Sequence, residues 1–278
     1  MSKTKIVAHC LIKNEDRFIW YSLQSVLPFI DQILVYDTGS RDKTIDIVKS
    51  INSPKIKFKE VGEVDANSFT NVRNQMLKDT PADTSWLMIL DGDEVWPSSS
   101  IKKVIEFIRL NPESESIVVK TNNLVGDIYH RSPDWAGQYH LAGKVGHLNL
   151  RFINLKKVKG LHLEKPHGQQ GYYDGDGKLI QDKSGVEFLD VSYSHATHLQ
   201  RSGNRANDLT VIKRAKKYKI ELGSKIKSGE LPEVFFQKRP QIVPDVTVHA
   251  PIWYFLFALT LTIPKYLKHL FLPTRHGY

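Results

Sequence analysis

The 278-residue sequence contains a single cysteine, Cys10. One thiol excludes a disulfide within the chain and any zinc site built on cysteines. Cys10 lies inside the apolar run Ile6–Ile12, so a buried core thiol is expected, and a reducing, cytoplasmic setting suits it. No Gly-x-Gly-x-x-Gly follows a strand-like segment, which argues against a dehydrogenase-type dinucleotide site. No apolar run reaches the roughly twenty residues that a membrane-spanning helix requires. The last apolar stretch, Ile252–Ile263, is only twelve residues long, between Pro251 and Pro264. Met1–Lys5 is short and polar and leads straight into an apolar segment, which predicts no signal peptide. Internal repeats are absent too.

What is abundant is positive charge. Against 30 Asp and Glu stand 39 Lys and Arg, a net charge of +9. Nucleic acid, anionic lipid and phosphorylated small molecules are the partners such a charge attracts. The excess is uneven: between Thr210 and Pro240 there are nine Lys or Arg and three Glu. Hydrophobic residues at 41% and charged residues at 25% exclude disorder or coiled coil as a reading of the whole chain.

The first 120 or so residues alternate strand and helix patterns. Ile6–Ile12, Gln32–Tyr36 and Trp86–Leu90 are short apolar runs of strand length, and residues 55–59 alternate as a half-exposed strand does. Ile19, Leu23, Val26 and Leu27 fall on one helical face, as do Ile101, Val104, Ile105 and Ile108 after the capping serines Ser98–Ser100. Ser116–Thr121 reads as another strand. Such a series predicts an α/β fold with a mainly parallel central sheet and helices on both faces, and ligands beyond the carboxyl ends of its strands. From Asn122 to Ser202 the pattern loosens into loops and short strands of the same domain. Asn204–Lys227 is expected to be helical and basic.

Four polar clusters stand out, three of them at those strand ends. Asp91-Gly92-Asp93-Glu94 follows the apolar strand Trp86–Leu90; three carboxylates so close repel one another unless a cation or a donor-rich ligand lies between them. Hard oxygen ligands of this kind suit magnesium or manganese bridging phosphates, and Gly92 permits a close backbone approach. Asp37 ends the second strand, suitably placed to accept from a base or a ribose, with Ser40 and Asp42 able to cap the helix that follows. Lys13-Asn14-Glu15-Asp16 follows the first strand. Arg73-Asn74 lies on the helix before the fourth, where an arginine can meet a phosphate bidentately.

In order and spacing, "IKNED", "ILVYDTGSRDKT", "NVRNQML" and "LMILDGDEVW" resemble the family 2 glycosyltransferases of GT-A fold, well over residues 5–110 and more loosely over 145–202. The resemblance implies a Rossmann-like nucleotide-binding domain. It implies that Asp37 contacts the nucleoside, and that Lys13, Asn14, Glu15, Ser40 and Arg73 belong to the nucleotide-sugar pocket. Asp91-Gly92-Asp93 looks like the family's DxD motif, in which Asp91, Gly92 and Asp93 meet ribose and metal and Asp93 is the direct ligand. Tyr193–Ser202 resembles the late segment that supplies a histidine and an arginine: His195 or His198 would complete the metal shell and Arg201 would meet the diphosphate. For the base that takes the acceptor's proton, relatives often carry an adjacent His-Glu pair after an "Rlf" segment. That pair is absent after Arg151-Phe152-Ile153-Asn154, which leaves Glu164 as first candidate and His167 as second.

The expectation is thus a catalytic domain at residues 1–202 and a basic helical and apolar extension at 203–278. It transfers a sugar from a nucleoside diphosphate sugar to a hydroxyl on a glycan, a lipid-linked saccharide or a protein, with Mg2+ or Mn2+. Ile252–Ile263 with Lys265, Lys268 and Arg275 suits an interfacial helix on an anionic membrane surface, at the inner face. A nucleotidyltransferase shares the sheet and metal logic, but "CLIKNED" stands where its glycine-rich loop belongs. Nucleic acid is not an expected partner, because Asp91–Glu94 repels phosphate unless a metal intervenes. A basic nucleic-acid-binding protein or a sugar-binding relative, either without activity, is the other alternative.

Overall fold

The computed structural model describes residues 4–271; the first three residues and Arg275 lie outside them. Strands β1 (Ile6–Ile12), β2 (Gln32–Asp37), β3 (Ile56–Glu60) and β4 (Trp86–Asp91) form where the apolar runs predict. They alternate with helices α1 (Ile19–Val26), α2 (Thr44–Ser50), α3 (Ser68–Lys78) and α4 (Ser98–Leu110). Every residue of β1 is buried, Cys10 included, as befits a central strand covered on both faces. The short β5 (Glu94–Val95) and the long β6 (Ser116–Asn123) follow. One eight-stranded sheet results, in the order β3, β2, β1, β4, then Leu148–Asn154, β6, Val186–His195 and β5.

Register explains why the polar clusters converge. β1 runs parallel to both β2 and β4, with Ile12 opposite Asp37 and Leu11 opposite Asp91, so three strand ends finish together. Leu148–Asn154 enters antiparallel between β4 and β6. The strand Val186–His195 returns parallel to β6, and β5 pairs antiparallel with its end, which sets His195 opposite Glu94. Behind this junction Trp96 is fully buried, stacked on Tyr193 at 4.7 Å between centroids, with Phe152 edge-on at 5.8 Å. Such packing holds the turn after β4 rigid.

Three local expectations need correction. Ser98–Ser100 do not cap α4: Pro97 precedes it, the serines form its first turn, and Ser100 Oγ donates to the carbonyl of Ser192 at 2.7 Å. Asn204–Lys227 is not one helix but two short ones, Arg205–Leu209 and Arg214–Lys217, separated by Lys213 in a left-handed conformation. Like charges at Lys213, Lys216 and Lys217 repel at helical spacing, and Arg214 is drawn instead into buried ion pairs. Finally, the last helix does not stop at Pro264. It runs from Ile252 to Phe271 with Pro264 inside, where the proline and Thr260 four residues before it are both exposed, so water can meet the freed carbonyl.

That terminal helix is attached through Tyr254, Ala258 and Thr262, its buried residues. Gly126, at φ +76°, lets the Tyr254 ring approach so closely that an added Cβ would lie 2.6 Å from it. Gly126→Ala is therefore expected to cost more than about 1 kcal/mol, from the left-handed backbone and the clash together. Limited proteolysis is the check: the variant should lose the terminal helix first. Wild-type protection of that helix in the variant would refute this account of its attachment.

Candidate active site

Beyond the joined ends of β1, β2 and β4 lies a cavity of about 170 Å³. Its lining includes Lys13, Glu15, Arg73, Asp91, Gly92, Asp93, His167, His195 and Arg201, nine of the residues singled out from the sequence. Two more cationic groups come from beyond residue 202, Arg214 and Lys217, with Thr210, Val211 and Ile212 beside them. A larger cleft of about 510 Å³ lies around Lys120, Arg131, His147 and Asp190, but the acid cluster is not part of it.

The acids are held by arginines. Arg73 Nη2 donates to Asp91 Oδ1 at 3.2 Å, and Arg151 Nη2 reaches Asp91 Oδ2 at 3.4 Å and bonds Glu94 Oε1. Asp93 has no exposure; Arg201 Nη1 stands 2.6 Å and His195 Nε2 3.4 Å from its Oδ2, yet neither of its oxygens accepts a well-directed hydrogen bond. Arg201 Nη1 also lies 3.4 Å from Glu15 Oε1, which Arg214 bonds from its other side.

Environment separates these carboxyls. Burial works to raise Asp93, but Arg201 and His195 hold it well below the usual carboxylate range. Asp91 is likewise lowered, as Arg151 and Arg73 outweigh its burial. Burial wins at Glu94, pushed up to about 7 despite Arg151, and at Glu15, pushed up to about 8 against the pull of Arg201 and Arg214.

Asp91, Glu94 and His195 each offer a ligand atom within 4.8 Å of the others. Two hard oxygens and an imidazole, beside the unsatisfied oxygens of Asp93, fit magnesium or manganese. His195 thus meets the acids. His198 does not line the cavity: its Nδ1 is bonded to the carbonyl of Lys217 at 2.7 Å, and burial lowers it to about 3. Sequence reasoning left Glu94 out of the ligand set, though it stands in the same four-residue cluster.

Other expected residues sit one step back. Asp37 is buried, accepting from the backbone of Gly39 and Ser40 at 2.9 and 2.8 Å and from the Ser40 hydroxyl. Ser40 Oγ accepts in turn from the backbone of Asn14 at 2.8 Å. Asn14, left-handed at φ 54°, binds the backbone of Arg41 through Oδ1 at 2.7 Å and the Asn207 carbonyl through Nδ2 at 3.1 Å. These three shape the loops without lining the cavity. Gly92 is packed against Glu15, whose Cγ would lie 2.9 Å from an added Cβ.

The two candidate bases part company. Glu164 is exposed, stands 3.0 Å from His162 Nε2 through Oε1, and is outside the cavity lining, because the strand His162–Glu164 buries Leu163 on one side and leaves Glu164 on the other. His167 lines the cavity with its ring 4.3 Å from Phe69, and burial, reinforced by Lys217 and Arg73, lowers it to about 4. It is unprotonated at neutral pH.

Arg214 ties the late segment to the first loop. Nη1 donates to the Asn14 carbonyl at 2.6 Å and to Asp208 at 2.9 Å, and Nη2 donates to the Lys13 carbonyl at 2.8 Å and to Glu15. No spacing rule marks an arginine two hundred residues away as a partner of that loop. Removing it strands buried acceptors, so Arg214→Ala should lose about 3–5 kcal/mol of stability in denaturant unfolding. A loss below about 1 kcal/mol would show that the loop holds without it.

The chain is similar to several known proteins. Among curated proteins, an uncharacterized glycosyltransferase of Rickettsia bellii is 30% identical over 104 residues, 37% of this chain and 32% of that protein. The SPbeta prophage-derived glycosyltransferase SunS of Bacillus subtilis is 28% identical over 105 residues, 38% of this chain and 24% of that protein. The match spans about a third of those relatives' length or less. Of solved structures, S. aureus TarS aligns with a TM-score of 0.46 at 15% identity, covering 77% of this chain and 43% of that one. Glucosyl-3-phosphoglycerate synthase of Mycobacterium tuberculosis, in complex with Mn2+, UDP and glucosyl-3-phosphoglycerate, aligns at 0.41 and 13% identity, covering 69% and 72%. Residues 11–164, more than half of the sequence, match the family described as glycosyl transferase family 2, and to that family the chain belongs.

Proposed function

We propose that the chain transfers a sugar from a nucleoside diphosphate sugar to a hydroxyl acceptor, with Mg2+ or Mn2+ bound at Asp91, Asp93, Glu94 and His195. The observation that carries this reading is one cavity in which Asp91, Asp93 and His195 face Arg73, Arg201, Arg214 and Lys217, with Glu94 buried behind its wall and within 4.8 Å of the Asp91 and His195 ligand atoms. A divalent cation there supplies neutralising charge to a departing diphosphate. The chain's own cations, Lys13, Arg73, Arg201 and Lys217, favour the same anion from the surrounding walls. Asp37, Ser40 and Asn14 hold the loops that carry Lys13, Glu15 and Thr38 to the donor.

His167 is the group we assign to the acceptor's proton. Its neutral imidazole lines the cavity, whereas Glu164 turns outward. Residues 1–202 form the proposed catalytic unit, with 203–278 an extension that contributes Arg214 and Lys217 to its wall. Acceptors in keeping with the reading are a glycan, a lipid-linked saccharide or a protein.

A thermal-shift panel of nucleoside diphosphates, with and without manganese, tests the proposal. At a hundredfold excess over Kd, one diphosphate should add about 2.7 kcal/mol of stability, and only with metal present. No diphosphate-specific, metal-dependent stabilisation across the panel would overturn the reading.

The extension also supports a peripheral seat on an anionic membrane, at its inner face. Among the described residues no helix is long and apolar enough to cross a membrane. The terminal helix nevertheless exposes Ile252 at 75%, Trp253 at 62%, Leu256 at 64% and Phe271 at 80%, and carries Lys265 and Lys268 with no acidic residue. Lys265 turns toward the body, its Nζ 3.6 Å from Glu221 Oε1, but the exposed apolar groups and Lys268 suit a helix lying in the lipid interface. At low salt the protein should sediment with phosphatidylglycerol vesicles and not with phosphatidylcholine vesicles, and Leu256→Glu should release it. Protein left in the supernatant with the anionic vesicles would sink this placement.

A further inference from the structure

Arg201 sits where a cation would be expected to act. Its guanidinium Nη1 is 2.6 Å from Oδ2 of Asp93, a side chain with no exposure, and 3.4 Å from Glu15. A buried carboxylate without a counter-charge is costly, so something positive must stand there whenever Asp93 is ionised. The contact is electrostatic in kind: neither Asp93 oxygen accepts a well-directed hydrogen bond, and Arg201 Nε is buried without a partner. Elsewhere the residue is firmly held. Its backbone N–H donates to Asp208 at 3.1 Å and its carbonyl accepts from the backbone of Arg17 at 3.1 Å. A fixed backbone, with a guanidinium that is held to Asp93 by charge and whose Nε has no partner, describes a side chain able to change partner without moving its strand or loop. Contrast Arg151, which holds Glu94 and also donates Nε to the Tyr193 hydroxyl at 3.0 Å, and Arg214, with four acceptors.

We propose that Arg201 is the exchangeable counter-ion of this site: it neutralises Asp93 until a divalent cation takes that carboxylate, and the cation displaces it. The inference rests on the metal reading given above and concerns Arg201 because, among the described residues, it is the arginine ion-paired with Asp93, whereas Arg73, Arg151 and Arg214 pair with other carboxylates. Cation and guanidinium compete for one buried carboxylate, so each weakens the other there. Once displaced, the guanidinium still lines the same cavity and is free for an anion.

The test is manganese binding alone, by the electron paramagnetic resonance signal of free Mn2+, in the full chain and in Arg201→Gln. With the competitor gone, the variant should bind manganese at least tenfold more tightly than wild type. Arg201→Lys, which keeps a positive charge, should stay within about threefold of wild type. Unchanged or weaker manganese binding in Arg201→Gln overturns the exchange, as does no binding by either protein. Should Arg201→Gln be unfolded without metal, saturating manganese ought to restore its folded circular dichroism signal, since the cation assumes the neutralising role; failure to restore it also overturns the proposal. No nucleotide enters this titration. A chain that shows the pattern but takes no nucleoside diphosphate keeps the exchange and loses the transferase reading.

Discussion

A carboxylate sealed from water must be matched by positive charge, and Asp93 imposes that demand on everything around it. Arg201 and His195 meet it directly. Arg201 is shared with Glu15, and Glu15 with Arg214, so one buried ionic ladder joins the end of β4, the loop after β1 and the segment beyond residue 202. The side facing β6 is closed in the same manner, by Arg151 between Asp91 and Glu94. None of these contacts adds much stability by itself, since desolvation offsets most of the attraction. What they fix is position: Asp91, Asp93 and Glu15 at the cavity wall, and Glu94 behind it, are each held by a partner from a different part of the chain.

The fold supplies those partners by strand order. Parallel pairing of β1 with β2 and β4 gathers three loops at one edge, which is the general location of ligands in open α/β sheets. Reversal at Leu148–Asn154 delivers Arg151, and the antiparallel pairing of β5 with the strand ending at His195 delivers the imidazole. Trp96, packed between Tyr193 and Phe152, stiffens the turn on which all of this converges. A hard-oxygen and imidazole cluster beside several guanidiniums is the chemistry on which the proposed divalent cation and diphosphate rest.

Much of this was legible in the residues. Short apolar runs fixed β1, β2 and β4 because a buried central strand has a composition unlike anything near it. Asp91–Glu94 was conspicuous because closely spaced acids need a reason. Three things stayed hidden for physical causes. Whether His195 or His198 meets the acids depends on strand register, and a single step changes the side a residue faces. Glu164 and His167 are close in sequence, but only the fold shows that one is exposed and the other lines the cavity. Arg214 sits in a basic stretch whose composition reads as a solvated helix, and its burial against Glu15 is a tertiary event with no local signature. The same applies to Pro264, a local stop signal overridden where the helix faces solvent.

Arg214 also has a bearing on how the molecule is made. Its partners Lys13, Asn14 and Glu15 precede it by about two hundred residues. Closing loops of that span is slow and entropically costly, so these contacts form after the local strand pairings. On the ribosome, β1 to β4 emerge and pair while the first loop still lacks the guanidinium that seals it. The half-built sheet carries its acids uncovered, and only the late basic segment turns an open scaffold into a closed pocket. Competence for ligands in this sense waits on a segment beyond residue 202.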